Sequence, residues 1–319
     1  MLRITVFTPK NLFFKGRFFL GIVCLLLLSF LSIIFSITLG PYDISNSEIV
    51  SYFLNLLGFD SQSITITQTA ILETVRLPRI LMAFVIGGGL SVSGVIMQGI
   101  FRNNLADPGI IGISAGGATG AVLAIFTGMA VLSVWIVPIF AFLGSFISLL
   151  FVFTVSTLSG KISVPTLILS GIAIGAFLNS ITSAIIIFSG DIESQRQMIF
   201  WLAGGFDSAR WISLKIIVPM ILIPTTLAII FSRDLNLLML GEDQGNSLGI
   251  RVQFSRNLML ILGSIITSVS VAYTGVIAFV GLIIPHMVRL VIGADTVSYT
   301  HLRAHETDSY LVCRLLLEK

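Results

Sequence analysis

Charged residues fall in clusters along this chain. Between them run long stretches with no charge at all, at 18–42, 80–101, 108–160, 162–190, 216–232 and 257–288. A helix needs about 20 apolar residues to cross the hydrocarbon core of a bilayer. The third run is long enough for two crossings, with a break near Ala130 and Val131, and the last divides around Thr274 and Gly275. The pattern predicts eight crossings, near 18–39, 80–101, 111–130, 134–157, 166–189, 213–232, 257–274 and 277–292. The expected fold class is therefore all-α, a polytopic membrane helix bundle.

The basic residues Arg3, Lys10, Lys15 and Arg17 precede the first run, as they would in a signal peptide. That run exceeds the usual apolar core of about 7–15 residues, and no convincing small-residue cleavage site follows it. A retained first span is expected. With the N-terminus in the cytoplasm, Arg3, Lys10, Lys15, Arg17, Arg102, Lys161, Arg233, Arg251, Arg256 and Arg289 fall inside. Outside fall Arg76, Arg79, Arg196, Arg210 and Lys215, so the bias follows the positive-inside tendency. Small residues at helix-packing spacing (Gly87 with Ser91, Gly116 with Gly120, Gly171 with Gly175) predict closely approaching backbones. The triplet Gly87-Gly88-Gly89 has no preceding strand and no following Lys-Ser or Lys-Thr, so it reads as helix packing rather than a phosphate loop.

Composition agrees with the bilayer as main solvent. The chain is 55% hydrophobic and only 10% charged, against about 25% charged for a soluble domain. Two cysteines, Cys24 and Cys313, give neither a disulfide framework nor a zinc spacing. The scattered basic residues form no stripe for nucleic acid. All 15 carboxylates lie outside the span interiors or at their ends, which argues against coupling to an ion bound at an intramembrane acid. No nucleophile, base and oxyanion donor cluster as a hydrolase requires. His286, after Pro285, reads as a capping or packing residue. No cofactor is implied. If the protein moves a solute, the energy arrives from elsewhere, and the loop "SRDLNLLMLGEDQGNSLGIRVQFSR" (232–256) is the natural socket. Its mixture of apolar residues, charges and glycines suits a short helix with turns against a partner. An amphipathic segment lying in the membrane interface is the other reading of the same residues.

Two long stretches resemble a known family. "RLPRILMAFVIGGGLSVSGVIMQGIFRNNLADPGIIGISAGGATGAVLAI" (76–125) is similar to the signature region of the FecCD-like permeases, which import iron–siderophore complexes, haem and cobalamin through ABC transporters. "LGEDQGNSLGIRVQFSRNLMLILGSIITSVSVAYTGVIAFVGLIIPHMVRLVIGAD" (240–295) is similar to the inner coupling loop of that family and the two spans after it. "LSGIAIGAFLNSI" and "FWLAGGFDSARW" fit as well, so the resemblance covers nearly all of 18–295 in order. It implies a permease subunit of a homo- or heterodimeric core in the cytoplasmic membrane, with separate cytoplasmic ABC ATPase subunits. An extracytoplasmic solute-binding protein would feed it. By the same resemblance, Gly241, Glu242, Leu248 and Gly249 dock on the ATPase. Arg76 and Arg79 receive acidic residues of the binding protein, and Ser163, Val164 and Pro165 mark the inner gate. Iron–siderophore is the first expected cargo, with haem and cobalamin next. A secondary carrier or channel without an ATPase is the alternative from another class.

The family has ten spans, and the apolar pattern here reaches eight. After Asp295 comes "TVSYTHLRAHETDSYLVCRLLLEK", whose last 23 positions hold six charged residues where the preceding 296 hold 27. His301 and His305 make an incomplete zinc site, since neither Cys313 nor Glu306 stands at a ligand spacing. The stretch resembles translated adapter or vector sequence. The expected organisation is a permease domain over 1–295 and a non-native tail over 296–319.

Overall fold

A computed structural model describes residues 10–59, 64–157 and 163–292, and every described element is helical. The described residues divide into a compact unit of residues 33–285 and a second unit holding residues 10–32 and 286–292. The helices are α1 (Lys10–Thr38), α2 (Asn46–Leu56), α3 (Ile66–Ile71), α4 (Leu77–Phe101), α5 (Ile113–Phe126), α6 (Ile136–Thr157) and α7 (Val164–Phe188). They continue with α8 (Ile192–Ala203), α9 (Trp211–Ile230), α10 (Ser232–Leu240), α11 (Glu242–Ser247), α12 (Val252–Thr274) and α13 (Val280–Ile292).

All eight expected crossings fall on helices, with altered lengths. Five described helical stretches are long and apolar enough to cross a membrane: Ile66–Phe101, Ile136–Thr157, Val164–Phe188, Trp211–Ile230 and Val252–Thr274. Three more apolar helical stretches are shorter, at Val23–Thr38, Ile113–Phe126 and Val280–Leu290. The expected 111–130 crossing is trimmed at both ends, to the 14 residues of α5. Pro108 opens a tight 3-10 turn on one side, and Gly128, with φ +71°, ends the helix on the other. Conversely, the expected 80–101 crossing starts early. A single turn of wider π-helix, Leu72–Arg76, joins α3 to α4 without interruption.

The core of the 33–285 unit forms where α12 packs against α4, α5, α6 and α9. Most of α12 is buried, including Met259, Leu260, Ile266 and Val269. In lipid no hydrophobic force draws helices together, so close van der Waals fit and interhelical hydrogen bonds must do so. The α5–α6 pair uses both. A Cβ on Gly116 would meet the Gly144 carbonyl, and one on Gly120 would meet the Phe140 carbonyl, so the two backbones touch. Ser145 and Ser148 on α6 donate to the carbonyls of Ile113 and Gly112 at 3.0 and 2.8 Å. Ser93 and Thr267 join α4 to α12 at 2.8 Å, and Thr119 and Thr182 join α5 to α7 at 2.9 Å. Gly171 likewise lies against the Ile110 carbonyl. Gly87 departs from the expectation. A Cβ there meets nothing within 4 Å, and Ser91 turns its hydroxyl back to the Gly87 carbonyl at 2.7 Å. The close packing at that level belongs to Gly89, against Ile221 and Ile266, and to Gly94, against the Gly281 backbone.

Candidate functional site

The loop read as a socket folds into two short helices. Leu235 and Leu238 bury one face of α10, and Leu235 lies where a side chain on Gly99 of α4 would stand. Gly241 then reverses the chain with φ +124°, a conformation that a Cβ resists. The short α11 follows, and Gly249, with φ +85°, closes it by passing its N–H to the Asn246 carbonyl at 3.0 Å. Two polar contacts fasten this loop to the foot of α12. Arg256, 3% exposed, pairs with Glu242 at 2.6 Å, and Ser255 donates to Asp234 at 2.5 Å. Leu248 is left standing out, 56% exposed. The four residues expected to couple to an ATPase therefore sit together on one small projection. Its apolar tip is Leu248, and its base is locked to α12.

The neighbouring "RNNLADPG" stretch is built from turn chemistry. Arg102 ends α4 in the left-handed conformation, with φ +50°. The Asn103 side chain accepts from Leu105 N–H at 2.9 Å, and Asp107 accepts from Gly109 N–H at 2.7 Å. These residues redirect the chain from α4 into the 3-10 turn ahead of α5. Ser163 has a comparable local job. It caps α7 by accepting from Thr166 N–H at 3.3 Å, with Pro165 in the first turn, where a missing N–H costs nothing. Ser163 and Val164 are partly buried and Pro165 is exposed.

The two arginines at the head of α4 part company. Arg76 is buried, 6% exposed, and donates to the carbonyls of Ile37, at 2.6 Å, and Tyr42. Arg79 is 44% exposed and pairs with Asp207 in the α8–α9 connection, its Nε also donating to the Phe206 carbonyl at 3.3 Å. Around Arg76 the short helices make a polar lattice that the hydropathy pattern did not suggest. Ser45 and Glu48 form a reciprocal cap on α2, Thr65 and Gln68 do the same on α3, and Gln68 donates to Glu48 at 2.8 Å. Hydrogen bonds from Ser45 N–H and then from Gln68 hold the Glu48 carboxyl below its ordinary range. Burial and the nearby Glu73 carboxylate raise Tyr52. The sequence did carry a signal for both caps, in the S-x-x-E of 45–48 and the T-x-x-Q of 65–68.

Among the described residues no three His, Cys, Asp or Glu side chains converge as metal ligands would. His301, His305 and Cys313 lie outside the described residues, as does the whole proposed tail.

An all-helical bundle of apolar, tightly packed spans, with a helical projection locked to the foot of one of them, defines a polytopic membrane protein. The chain belongs to the FecCD transport family, whose model matches residues 25–303. It is similar to the cobalamin import system permease BtuC of Halobacterium salinarum, 38% identical over 229 residues, which are 72% of this chain and 61% of that protein. It is also similar to the hemin transport system permease HmuU of Yersinia pestis, 39% identical over 224 residues, 69% of this chain and 66% of that one. The chain thus spans under two thirds of the length of each of these relatives. A solved structure described as a metal-chelate type ABC transporter in an inward-facing conformation matches with TM-score 0.73 and 33% identity. That match covers 90% of this chain and 83% of the other.

Proposed function

We propose that this chain is the membrane-spanning permease subunit of an ABC importer, pairing with a second permease subunit and driven by separate cytoplasmic ATPase subunits. An extracytoplasmic solute-binding protein delivers the cargo, which is a metal chelate. An iron–siderophore complex is the first candidate, with haem and cobalamin next. The N-terminus and the α10–α11 projection face the cytoplasm of a cell bounded by this plasma membrane. The observation that carries the proposal is the projection itself. An exposed apolar tip at Leu248 suits insertion into a cleft on a partner, and the Arg256–Glu242 pair makes its base move with α12. ATP-driven closure of the partner then reaches the spans as rigid-body movement.

The test replaces Gly249 with Trp. At φ +85° any side chain strains the turn that aims Leu248, while nothing within 4 Å would clash with it. Uptake of the cargo by cells should fall at least tenfold while the protein's level in the membrane stays the same. Undiminished uptake removes the projection from the coupling route. Transport that persists after ATP depletion points instead to a carrier without an ATPase.

A further inference from the structure

At the end of the bundle where α8 meets α9, residues of α6, α9 and α12 line a slot of about 380 Å³. Its walls are apolar or aromatic throughout, with Trp135, Phe142 and Leu143 on the α6 side, Met220 on α9, and Val269 and Tyr273 on the floor. Ile139 and Leu143 on its lip are 51% and 48% exposed, so the slot opens sideways to the surroundings of the bundle, where the bilayer lies.

Directly adjoining it is a second hollow of about 250 Å³ that shares Trp135, Pro138 and Tyr273 as walls. This one is the more polar of the two, with Ser133, Gln197, Arg210 and Ser213 among its lining residues. Arg210 is exposed and has no ion-pair partner among the described residues. It also stands at the start of α9, a 20-residue helix whose first turn has no side-chain cap, so the amide dipoles there add to its positive field. Ser133 accepts from Trp135 N–H at 3.4 Å, which leaves its own hydrogen to donate.

We propose that the two hollows together are a binding site for one membrane phospholipid with an anionic headgroup. An acyl chain fills the slot, and the phosphate sits in the polar mouth against Arg210 and the first turn of α9. The juxtaposition selects this occupant. A free anion has no use for the apolar slot, and an apolar helix of a partner leaves an unpaired arginine and an uncapped helix start at its edge. A phospholipid satisfies both parts, and it is present wherever the protein is. Volumes of this order are typical of sites for small organic ligands, about 300–1,000 Å³. The bound lipid would wedge α6 from α9 while tying both to α12, and so would stiffen the bundle at this end.

Trp135, in the wall of both hollows, reports directly on the occupant. The full chain is reconstituted in phosphatidylcholine discs containing a few mole per cent of either phosphatidylglycerol or phosphatidylcholine brominated along its acyl chains. Bromine quenches tryptophan fluorescence on contact, and the part of the quenching abolished by Trp135→Phe belongs to this site. Brominated phosphatidylglycerol should quench that part about fivefold more effectively than brominated phosphatidylcholine, and Arg210→Gln should remove the difference. Met220→Trp, judged with Trp135 retained by native mass spectrometry, should reduce the phosphatidylglycerol carried through purification, because it fills the slot without touching the mouth. Equal quenching by the two lipids overturns the proposal in favour of bulk lipid contact. No quenching of Trp135 by either overturns it in favour of a protein segment lying in the slot.

Discussion

Two arginines three residues apart at the head of α4 meet different demands. A guanidinium at 6% exposure must find acceptors inside the protein, and Arg76 takes the carbonyls of Ile37 and Tyr42, which the chain leaves free as it turns from α1 toward α2. It is a staple for that turn. Arg79 keeps nearly half its surface and, among the described residues, has only Asp207, itself 89% exposed, as a charged partner. An exposed pair of this kind contributes about 0–1 kcal/mol, so an incoming carboxylate can displace Asp207 at little cost. Under the proposed function, Arg79 rather than Arg76 is the residue that would dock an acidic surface of a binding protein. Arg79→Glu should weaken binding-protein-stimulated ATP hydrolysis, and Asp207→Asn, which frees the guanidinium, should leave it unchanged or raise it. If both variants respond as the parent does, Arg79 serves only to anchor its helix. The sequence could place both arginines at a helix end but could not separate them, because burial of Arg76 depends on carbonyls more than thirty residues earlier.

At the scale of elements, the α10–α11 projection is worth most if it is stiff. Two fastenings make it so, and they differ in exposure. Arg256 is almost fully enclosed, whereas Glu242 is about half exposed, and a glutamine there removes the charge of the pair while its amide oxygen still accepts from the buried guanidinium. Glu242→Gln should therefore preserve folding and ATP hydrolysis by the assembled transporter, yet lower the solute carried per ATP about two- to tenfold. Measured transport and hydrolysis in proteoliposomes give that ratio directly, and an unchanged ratio means the pair has no part in transmission. The crossings themselves were legible in the sequence, because a bilayer demands twenty apolar residues in a row and few other structures do. The projection was legible as a short helix with turns, from its glycines and mixed polarity. The helices α2, α3 and α8 were not, since none is a long apolar run. Their signals are one-residue caps such as Ser45, Thr65 and Asp191, with Asp191 held below its ordinary pKa by the Ser194 hydroxyl. Helix length also escaped the pattern at α5, where Pro108 and Gly128 trim an apolar stretch that reads as longer.

For the molecule as a whole, the question is what holds apolar helices together in an apolar solvent, and the glycines give a controlled way to ask it. Gly120 on α5 faces the backbone of α6 so closely that a Cβ would overlap the Phe140 carbonyl, whereas Gly87 on α4 faces nothing within 4 Å. Valine at either position adds the same side chain to a membrane helix, so changes in insertion and in helix propensity nearly cancel between the two. The difference that remains is packing. Gly120→Val must push α6 away, which strains the Ser145 and Ser148 hydrogen bonds to the start of α5 and disturbs α7 and α12, both of which pack on α5. Overpacking of this kind costs about 1–3 kcal/mol. Gly87→Val should fall within about 0.5 kcal/mol of the parent, as substitutions into open space do. Reversible unfolding in mixed detergent micelles, followed by accessibility of a cysteine placed on α12, measures both. Equal destabilisation by the two valines would mean that the bundle is held by its polar cross-links and lipid contacts rather than by backbone approach. A large gap in favour of Gly87→Val assigns the α5–α6 contact as the keystone on which α7 and α12 are stacked.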